Sequence, residues 1–452
     1  MTMARNVLFI MCDQLRADHL GCAGHPTLQT PNIDRLARRG VRFSNAFVQS
    51  PVCGPSRMSF YTGRYVFSHG ASWNRVPLSL RELTIGDYLR PLGIDAALAG
   101  KTHVLPDEAA LERFGIEGAS ALSALLRNGR FVELDRYDGH SPPGGESHYA
   151  DFLRDHGYVS GDPWSDYVIS VAGPGGEVLS GWNMRNVRHP ARVAARHSET
   201  AYMTDQAMAF IRAHGDRPWF LHLSYVKPHW PYVAPAPYND MHGVDDCLPV
   251  IRHPREIGEA HPVVAAYRQH DESVSFARDE VIETVRPVYM GLVRQIDDEL
   301  GRLFALLEET GRWSDTLIVF TADHGDLLGD HWLGEKELFY ESALRIPFIL
   351  YDPDRAADAT RGRVDERLVE GVDLLPTCLE ALGIEIPQHL IEGRSLLAAV
   401  RGEDGPWRDF VVSELDYSFR KARHILRRRP RECRGWMIRD ERWKYVLWDG
   451  FR

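Results

Sequence analysis

An α/β architecture on a large, mostly parallel sheet flanked by helices is what this sequence predicts, from three observations. First, four short apolar runs end abruptly in polar residues: Val7 to Cys12 before Asp13-Gln14, Ala96 to Ala99 before Gly100-Lys101-Thr102-His103, Phe220 to Val226 before Lys227-Pro228-His229, and Leu317 to Phe320 before Thr321-Ala322-Asp323-His324. Unbroken apolar runs of this length read as strands covered on both faces. Second, amphipathic helical patterns lie between them. Third, the polar residues all follow the runs, and ligands of such sheets sit beyond the carboxyl ends of the strands. The four polar clusters are therefore expected to converge.

The first helix is predicted at Thr30-Pro31-Asn32-Ile33-Asp34-Arg35-Leu36-Ala37, with Thr30 as its cap and Pro31 in its first turn. A second follows at Cys53-Gly54-Pro55-Ser56-Arg57, with Pro55 in the first turn and Gly63 at the end. About Pro106 to Pro190 the chain is rich in Gly, Pro and charge, as in Ser141-Pro142-Pro143-Gly144-Gly145 and Gly173-Pro174-Gly175-Gly176. This stretch, and another at about Asn239 to Glu283, read as insertions of loops and short elements over the sheet edge. From Tyr289 the residues Leu292, Val293, Ile296, Leu300, Leu303, Phe304 and Leu307 keep three-and-four spacing up to Gly311, a core-facing helix. After Arg394 short aromatic runs such as Phe410-Val411-Val412 and Trp443 to Trp448 predict a small antiparallel subdomain. The expected division is a catalytic α/β unit over residues 1–395 and a C-terminal subdomain over 396–452.

Composition narrows the function classes. In 452 residues, 44% are hydrophobic and 26% charged, which excludes a mainly disordered or fibrous chain. Lys plus Arg number 53 against 63 Asp plus Glu, a net charge of −10, so nucleic acid is not an expected partner and an anionic substrate needs a local cationic pocket. The run Arg427-Arg428-Arg429-Pro430-Arg431 reads as a solvated face. Six scattered cysteines do not make a disulfide framework, and Cys12 and Cys22 lack a Cys/His set tight enough for a thiolate metal site. The N-terminal run of six apolar residues is shorter than a secretory core of about 7 to 15 residues and far shorter than a membrane span of about 20. A cytoplasmic protein without membrane association is expected.

Cys53 is the centre of the chemistry. At a helix N-terminus it meets free N–H groups and a dipole that favour anions, and Arg57 adds a fixed cation. Alone, such a cysteine is more often a small buried apolar residue. Asp13 and Asp323 end two different strands and offer hard oxygen ligands to Ca²⁺, Mg²⁺ or Mn²⁺, or else serve as strand-end caps.

The whole constellation resembles the type I sulfatases of the alkaline phosphatase superfamily, close to the phosphonate monoester hydrolase and arylsulfatase group. The residues carrying the likeness are Cys53-Gly54-Pro55-Ser56-Arg57 with Thr62-Gly63-Arg64, Asp13-Gln14, Thr30 to Leu36, Gly100-Lys101-Thr102-His103, Pro228-His229-Trp230-Pro231-Tyr232, and Asp323-His324-Gly325-Asp326 through Gly329-Asp330-His331 to Lys336. The resemblance implies an alkaline-phosphatase-like fold. It implies that a formylglycine-generating enzyme oxidises Cys53 to formylglycine (3-oxoalanine), whose hydrate is the nucleophile and whose second hydroxyl lets the aldehyde re-form and expel the anion. It implies one divalent cation, Ca²⁺ first with Mn²⁺ or Mg²⁺ as alternatives, held by Asp13, Gln14, the modified Cys53, Asp323 and His324. Gln14 and His324 stand where sulfatases usually carry Asp and Asn, and an imidazole nitrogen tilts the preference toward Mn²⁺. Lys101, His103, His229 and Lys336 match positions that clamp the anion and move protons, with His229 beside Lys336 as general acid and His103 as base. Arg57 matches a brace for the nucleophile, and Asn74 a contact to substrate oxygens.

The expected reaction is hydrolysis of a small anionic ester, a sulfate monoester, to an alcohol and inorganic sulfate. Lys101 with His103 favours sulfate; Gln14, His324, and the stretches Glu414 to Tyr417 and Arg439 to Tyr445 favour a phosphonate monoester or phosphodiester. A third reading is an anion-binding protein with unmodified Cys53. A homo-oligomer is a further expectation. Similar chains usually run on beyond Trp448-Asp449-Gly450-Phe451-Arg452, so the C-terminal subdomain is either naturally short or truncated.

Overall fold

The computed structural model describes residues 4–139 and 146–451. The predicted loop Ser141 to Gly145 lies outside the described residues. In chain order the strands are β1 (Asn6–Asp13), β2 (Val41–Phe47), β3 (Ala96–Gly100), β4 (Val132–Arg136), β5 (Ser170–Ala172), β6 (Val178–Ser180), β7 (Phe220–Pro228), β8 (Thr316–Ala322), β9 (Arg345–Tyr351), β10 (Val364–Glu370), β11 (Val411–Asp416), β12 (Arg434–Arg439) and β13 (Lys444–Trp448). Eight of them form one sheet in the order β10-β2-β9-β8-β1-β7-β3-β4. Its pairings are parallel except those of β9, which runs against both β2 and β8. The four predicted apolar runs are thus the adjacent strands β8, β1, β7 and β3, and their carboxyl ends share one edge of the sheet.

Every residue of β1, β7 and β8 is buried, as both-faced cover requires. Strand parity assigns the covering helices. His222 and Tyr225 lie an odd number of residues apart on β7 and point to opposite faces. Tyr61, on the helix Cys53–Thr62, bonds to His222 at 3.1 Å, while Thr204, on the helix Glu199–His214, bonds to Tyr225 at 2.7 Å. The strands β11, β12 and β13 form the expected antiparallel sheet, and Val411, Leu415, Met437 and Trp448 join the same hydrophobic core as the main sheet. Among the described residues no helix is long and apolar enough to cross a membrane.

Three expectations need correction. The stretch after Pro106 is more than cover, because Val132–Arg136 enters the main sheet as edge strand β4, parallel to β3. The helix expected from Tyr289 begins at Asp279, inside the second insertion, and runs through Pro287 to Glu309. Proline lacks an amide hydrogen, but Val281, Ile282, Val285 and Val288 extend the buried stripe across it. Thr30 occupies the cap position of Pro31–Arg39, yet its hydroxyl donates to Asp34 Oδ1 and accepts from Gly21 N. The free amides of that helix go instead to Asp297 on the long helix, which accepts from Asn32 N at 3.0 Å and Ile33 N at 2.8 Å. Burial pushes the Asp297 carboxyl up to about 6, against the pull of these bonds.

Asp297→Ala removes this cap from a distant element and is expected to lower unfolding stability by about 1–2 kcal/mol in urea titration. An unchanged midpoint would show that the two bonds contribute nothing.

Candidate active site

Asp13 is the last residue of β1, and Asp323 and His324 follow β8 directly. Lys101 follows β3, whose final Gly100 has φ +109 and passes Ser224 so closely that a Cβ there would lie 2.0 Å from its carbonyl oxygen. Cys53 opens the helix Cys53–Thr62, reached through a short loop from β2. One ligand atom each from Asp13, Cys53, Asp323 and His324 lies within 4.8 Å of the others, and all four side chains are buried.

Arg57 organises the carboxylates. Its guanidinium is fully buried, with Nε 2.7 Å from Asp323 Oδ2 and Nη2 3.2 Å from Asp13 Oδ2, while Nη1 donates to Lys101 O and Ser224 Oγ, both at 2.8 Å. Lys101 Nζ meets the same Asp13 oxygen at 2.5 Å. The Oδ2 atoms are therefore taken by cations and the Oδ1 atoms turn toward the cluster, each 3.7 Å from His324 Nε2. Burial would raise the Asp13 carboxyl, but Lys101, His229, Arg57 and His324 together hold it well below the usual carboxylate range. Lys101 stays protonated, since Asp13 and Cys53 outweigh the effect of its burial.

The imidazole supplies the fourth donor in a defined form. His324 Nδ1 bonds to the carbonyl of Gly325 at 2.8 Å, which places the proton there and leaves the Nε2 lone pair facing the cluster, 3.1 Å from Cys53 Sγ. Two carboxylate oxygens, one imidazole nitrogen and a cysteine position suit a divalent cation, and replacement of the soft sulfur by oxygen would suit a hard one better.

On the other side of the cluster Lys336 Nζ donates to His229 Nε2 at 2.9 Å and to Gln14 Oε1 at 2.8 Å. His229 Nδ1 donates to Trp230 O at 2.5 Å. Burial, then Lys336, pushes the His229 imidazole well below its ordinary value, so it is neutral with Nε2 as an acceptor. The expected general acid thus holds no proton at Nε2; the proton sits on Lys336, which the field of Cys53, Glu335, Asp13 and Asp323 keeps charged despite burial. His103, the expected base, is held at φ 56 by Asp138, which accepts from both Thr102 N and His103 N. Burial and Lys101 lower its imidazole, a hydrogen bond to Cys53 resists, and its buried Nδ1 has no partner among the described residues.

Two further side chains of the expected site are bonded within the protein. The side chain of Gln14, expected as a metal ligand, is a bridge: Oε1 accepts from Lys336, and Nε2 donates to Asp326 at 2.6 Å and Tyr232 at 3.3 Å. Asn74, expected at substrate oxygens, has its Oδ1 on Gly54 N at 2.7 Å and so caps the Cys53 helix. Asp326 and Tyr232, absent from the expected site, complete the bridge through a 2.8 Å bond. Both stand in the motifs Asp323-His324-Gly325-Asp326 and Pro228 to Tyr232, but their bonding to Gln14 is a tertiary fact that motif spacing does not carry.

Residues 5–384 match the sulfatase family, and residues 329–449 match the family described as N-sulphoglucosamine sulphohydrolase, C-terminal. The chain is 35% identical to the multifunctional alkaline phosphatase superfamily protein PehA of Trinickia caryophylli, over 98% of its own length and 87% of PehA. It is 27% identical to the arylsulfatase of Clostridium perfringens, over 95% of this chain and 85% of that one. Its structure is similar to that of the phosphonate monoester hydrolase from Silicibacter pomeroyi, with a TM-score of 0.84 and 31% identity over 98% of this chain and 87% of the other. The phosphonate monoester hydrolase of Agrobacterium radiobacter gives a TM-score of 0.85 and 28% identity over the same shares. With the Cys53 motif at the helix start and two strand-end aspartates beside it, the chain belongs to the sulfatase family of the alkaline phosphatase superfamily.

Proposed function

We propose that this protein hydrolyses a sulfate monoester to an alcohol and inorganic sulfate at the Cys53 centre. The observation that carries the reading is the gathering of Cys53, Asp13, Asp323 and His324 beside a buried, charged Lys101. Phosphonate monoester or phosphodiester hydrolysis at the same centre is the second reading, favoured by the imidazole of His324 and the likeness to PehA and the phosphonate monoester hydrolases. Formylglycine made from Cys53 by a separate oxidising enzyme would be the nucleophile. A divalent cation held by Asp13, Gln14, the oxidised Cys53, Asp323 and His324 would neutralise the ester anion and make that nucleophile more acidic. Six free cysteines support a reducing, cytoplasmic setting.

The chain's own groups divide the remaining work. Arg57 holds the carboxylates apart and aimed, so that little reorganisation is needed when charge develops. Lys101 offers a second cation to the anionic ester. The Lys336 ammonium, in contact with His229 Nε2, holds the proton that the leaving oxygen needs, and His229 accepts from Lys336 at the one ring nitrogen not fixed to the backbone. His103, neutral and with Nδ1 unpartnered, takes a proton beside Cys53.

Five measurements test this assignment. The peptide containing Cys53 from active protein is expected to show the mass of the aldehyde; a thiol in fully active protein overturns the nucleophile. Cys53→Ala is expected to lower kcat by at least about 10³-fold with the melting temperature unchanged. Asp323→Asn should abolish divalent-cation binding in titration calorimetry, and His324→Asn should shift preference from Mn²⁺ toward Ca²⁺. Arg57→Ala leaves two carboxylates buried without their cation and is expected to cost about 3–5 kcal/mol in denaturant unfolding. The choice between the two esters rests on kcat/KM for nitrophenyl sulfate against a nitrophenyl ester of phenylphosphonate; an excess for the phosphonate of orders of magnitude reverses the ranking.

A further inference from the structure

The backbone of Gln14 lies in the left-handed region, at φ 66, where a residue with a side chain stays only when its surroundings fix it. Two bonds do so: its N–H donates to Asp323 Oδ1 at 3.1 Å, and its carbonyl accepts from Tyr289 Oη at 2.7 Å. The side chain is buried and equally fixed. Nε2 donates to Asp326 Oδ2 at 2.6 Å and to Tyr232 Oη at 3.3 Å, and Tyr232 Oη donates to the same Asp326 oxygen at 2.8 Å. Both hydrogens of the amide are thus spent on one side. Oε1 is left for the other, where Lys336 Nζ donates to it at 2.8 Å.

A carboxamide has two ends of nearly the same shape and opposite chemistry, so packing alone cannot choose between them. The choice here is electrostatic. Asp326 is buried, and the groups bonded to it all donate: Gln14 Nε2, Tyr232 Oη, and Leu328 N, which reaches Oδ1 at 3.0 Å. Turning the amide over would set Oε1 against Asp326 Oδ2, oxygen on oxygen, and would present an NH₂ group to the Lys336 ammonium. A divalent cation likewise takes oxygen and not an amide NH₂. The need belongs to this residue type, because an aspartate in the place of Gln14, as sulfatases usually have, offers oxygen whichever way it turns.

Resting on the reading of the Cys53 centre as a metal-assisted hydrolase, we propose that Asp326 is a positioning residue. With Tyr232 it fixes which end of the Gln14 amide is offered to the cation, and its bond to Nε2 polarises the amide so that Oε1 becomes a stronger ligand. A carboxylate one bond behind a ligand strengthens it without touching the ion, as carboxylates behind metal-bound imidazoles do. Asp326 thereby returns part of the negative charge that glutamine lacks beside aspartate.

The test is titration calorimetry of the full chain with Mn²⁺ and with Ca²⁺. Asp326→Asn keeps the shape of the side chain but lets either end of the Gln14 amide face it, and is expected to weaken both cations about 10–100-fold. Tyr232→Phe removes one hydroxyl and should weaken them by at least about threefold. The decisive arm is a double-mutant cycle. Gln14→Glu supplies a side chain that needs no orienting, so it is expected to raise affinity at least about tenfold more in the Asp326→Asn background than in the wild type. A role confined to packing predicts equal effects in both. Unchanged affinity in Asp326→Asn, or an equal effect of Gln14→Glu in the two backgrounds, overturns the assignment; if Asp326→Asn does not fold, unchanged affinity in Tyr232→Phe overturns it. In metal-free protein the Gln14 side-chain amide, identified in a ¹⁵N spectrum by its loss in Gln14→Glu, is expected to show a downfield proton that moves upfield in Asp326→Asn. Wild-type protein that binds neither cation overturns the metal reading instead, and the amide proton still judges the orientation.

Discussion

Arg57 lies on the floor of the whole centre. A guanidinium with no access to water must satisfy its donors inside the protein, and it does so on Asp13, Asp323, Ser224 and the carbonyl of Lys101. These four lie on or directly after β1, β8, β7 and β3, so one side chain ties four adjacent strands together. The helix bearing Arg57 also bears Cys53, one turn earlier on the same face. The register of the sheet, the seating of that helix and the aim of two carboxylates are therefore one constraint. A buried ion pair is weak evidence for stability in general. Here its value is orientation: with Oδ2 engaged, each carboxylate turns Oδ1 toward the cluster, that of Asp323 also accepting from Gln14 N at 3.1 Å.

Much of this was legible beforehand, and for a definite reason. Strand ends are local: an apolar run stopping at Asp13 or Asp323 says where the chain leaves the sheet, and the parallel architecture then says on which edge. Cys53, Arg57, Lys101, His103, His229, Lys336, Asp323 and His324 follow from that logic together with the family likeness. What escaped depends on geometry between elements. Position places Gln14 and Asn74 at the centre, but the protein partners of their amides, Lys336 and Gly54, come from other segments. The cap on Pro31–Arg39 escaped for the same reason, because Asp297 lies 265 residues away from Asn32. The edge strand β4 was hidden in a stretch whose charge and glycine content read as loop.

The two inserted stretches carry no motif, yet both contribute to one cavity, where Trp182, Asp271 and Glu272 join Trp230 and Glu335 in the lining. The division is chemical. Fixed strand ends hold the Cys53 centre, whereas side chains delivered from the periphery by loops can vary without disturbing the sheet.

Burial of Cys53 bears on the order of events in the life of the chain. The side chain is 1% exposed, closed in by Asp13, His324 and the Arg57 network, so no second protein can reach its sulfur in the finished molecule. The oxidising enzyme proposed for Cys53 would have to meet this segment while it is still extended. A polypeptide that folds first keeps that sulfur enclosed between two strand ends and a helix start.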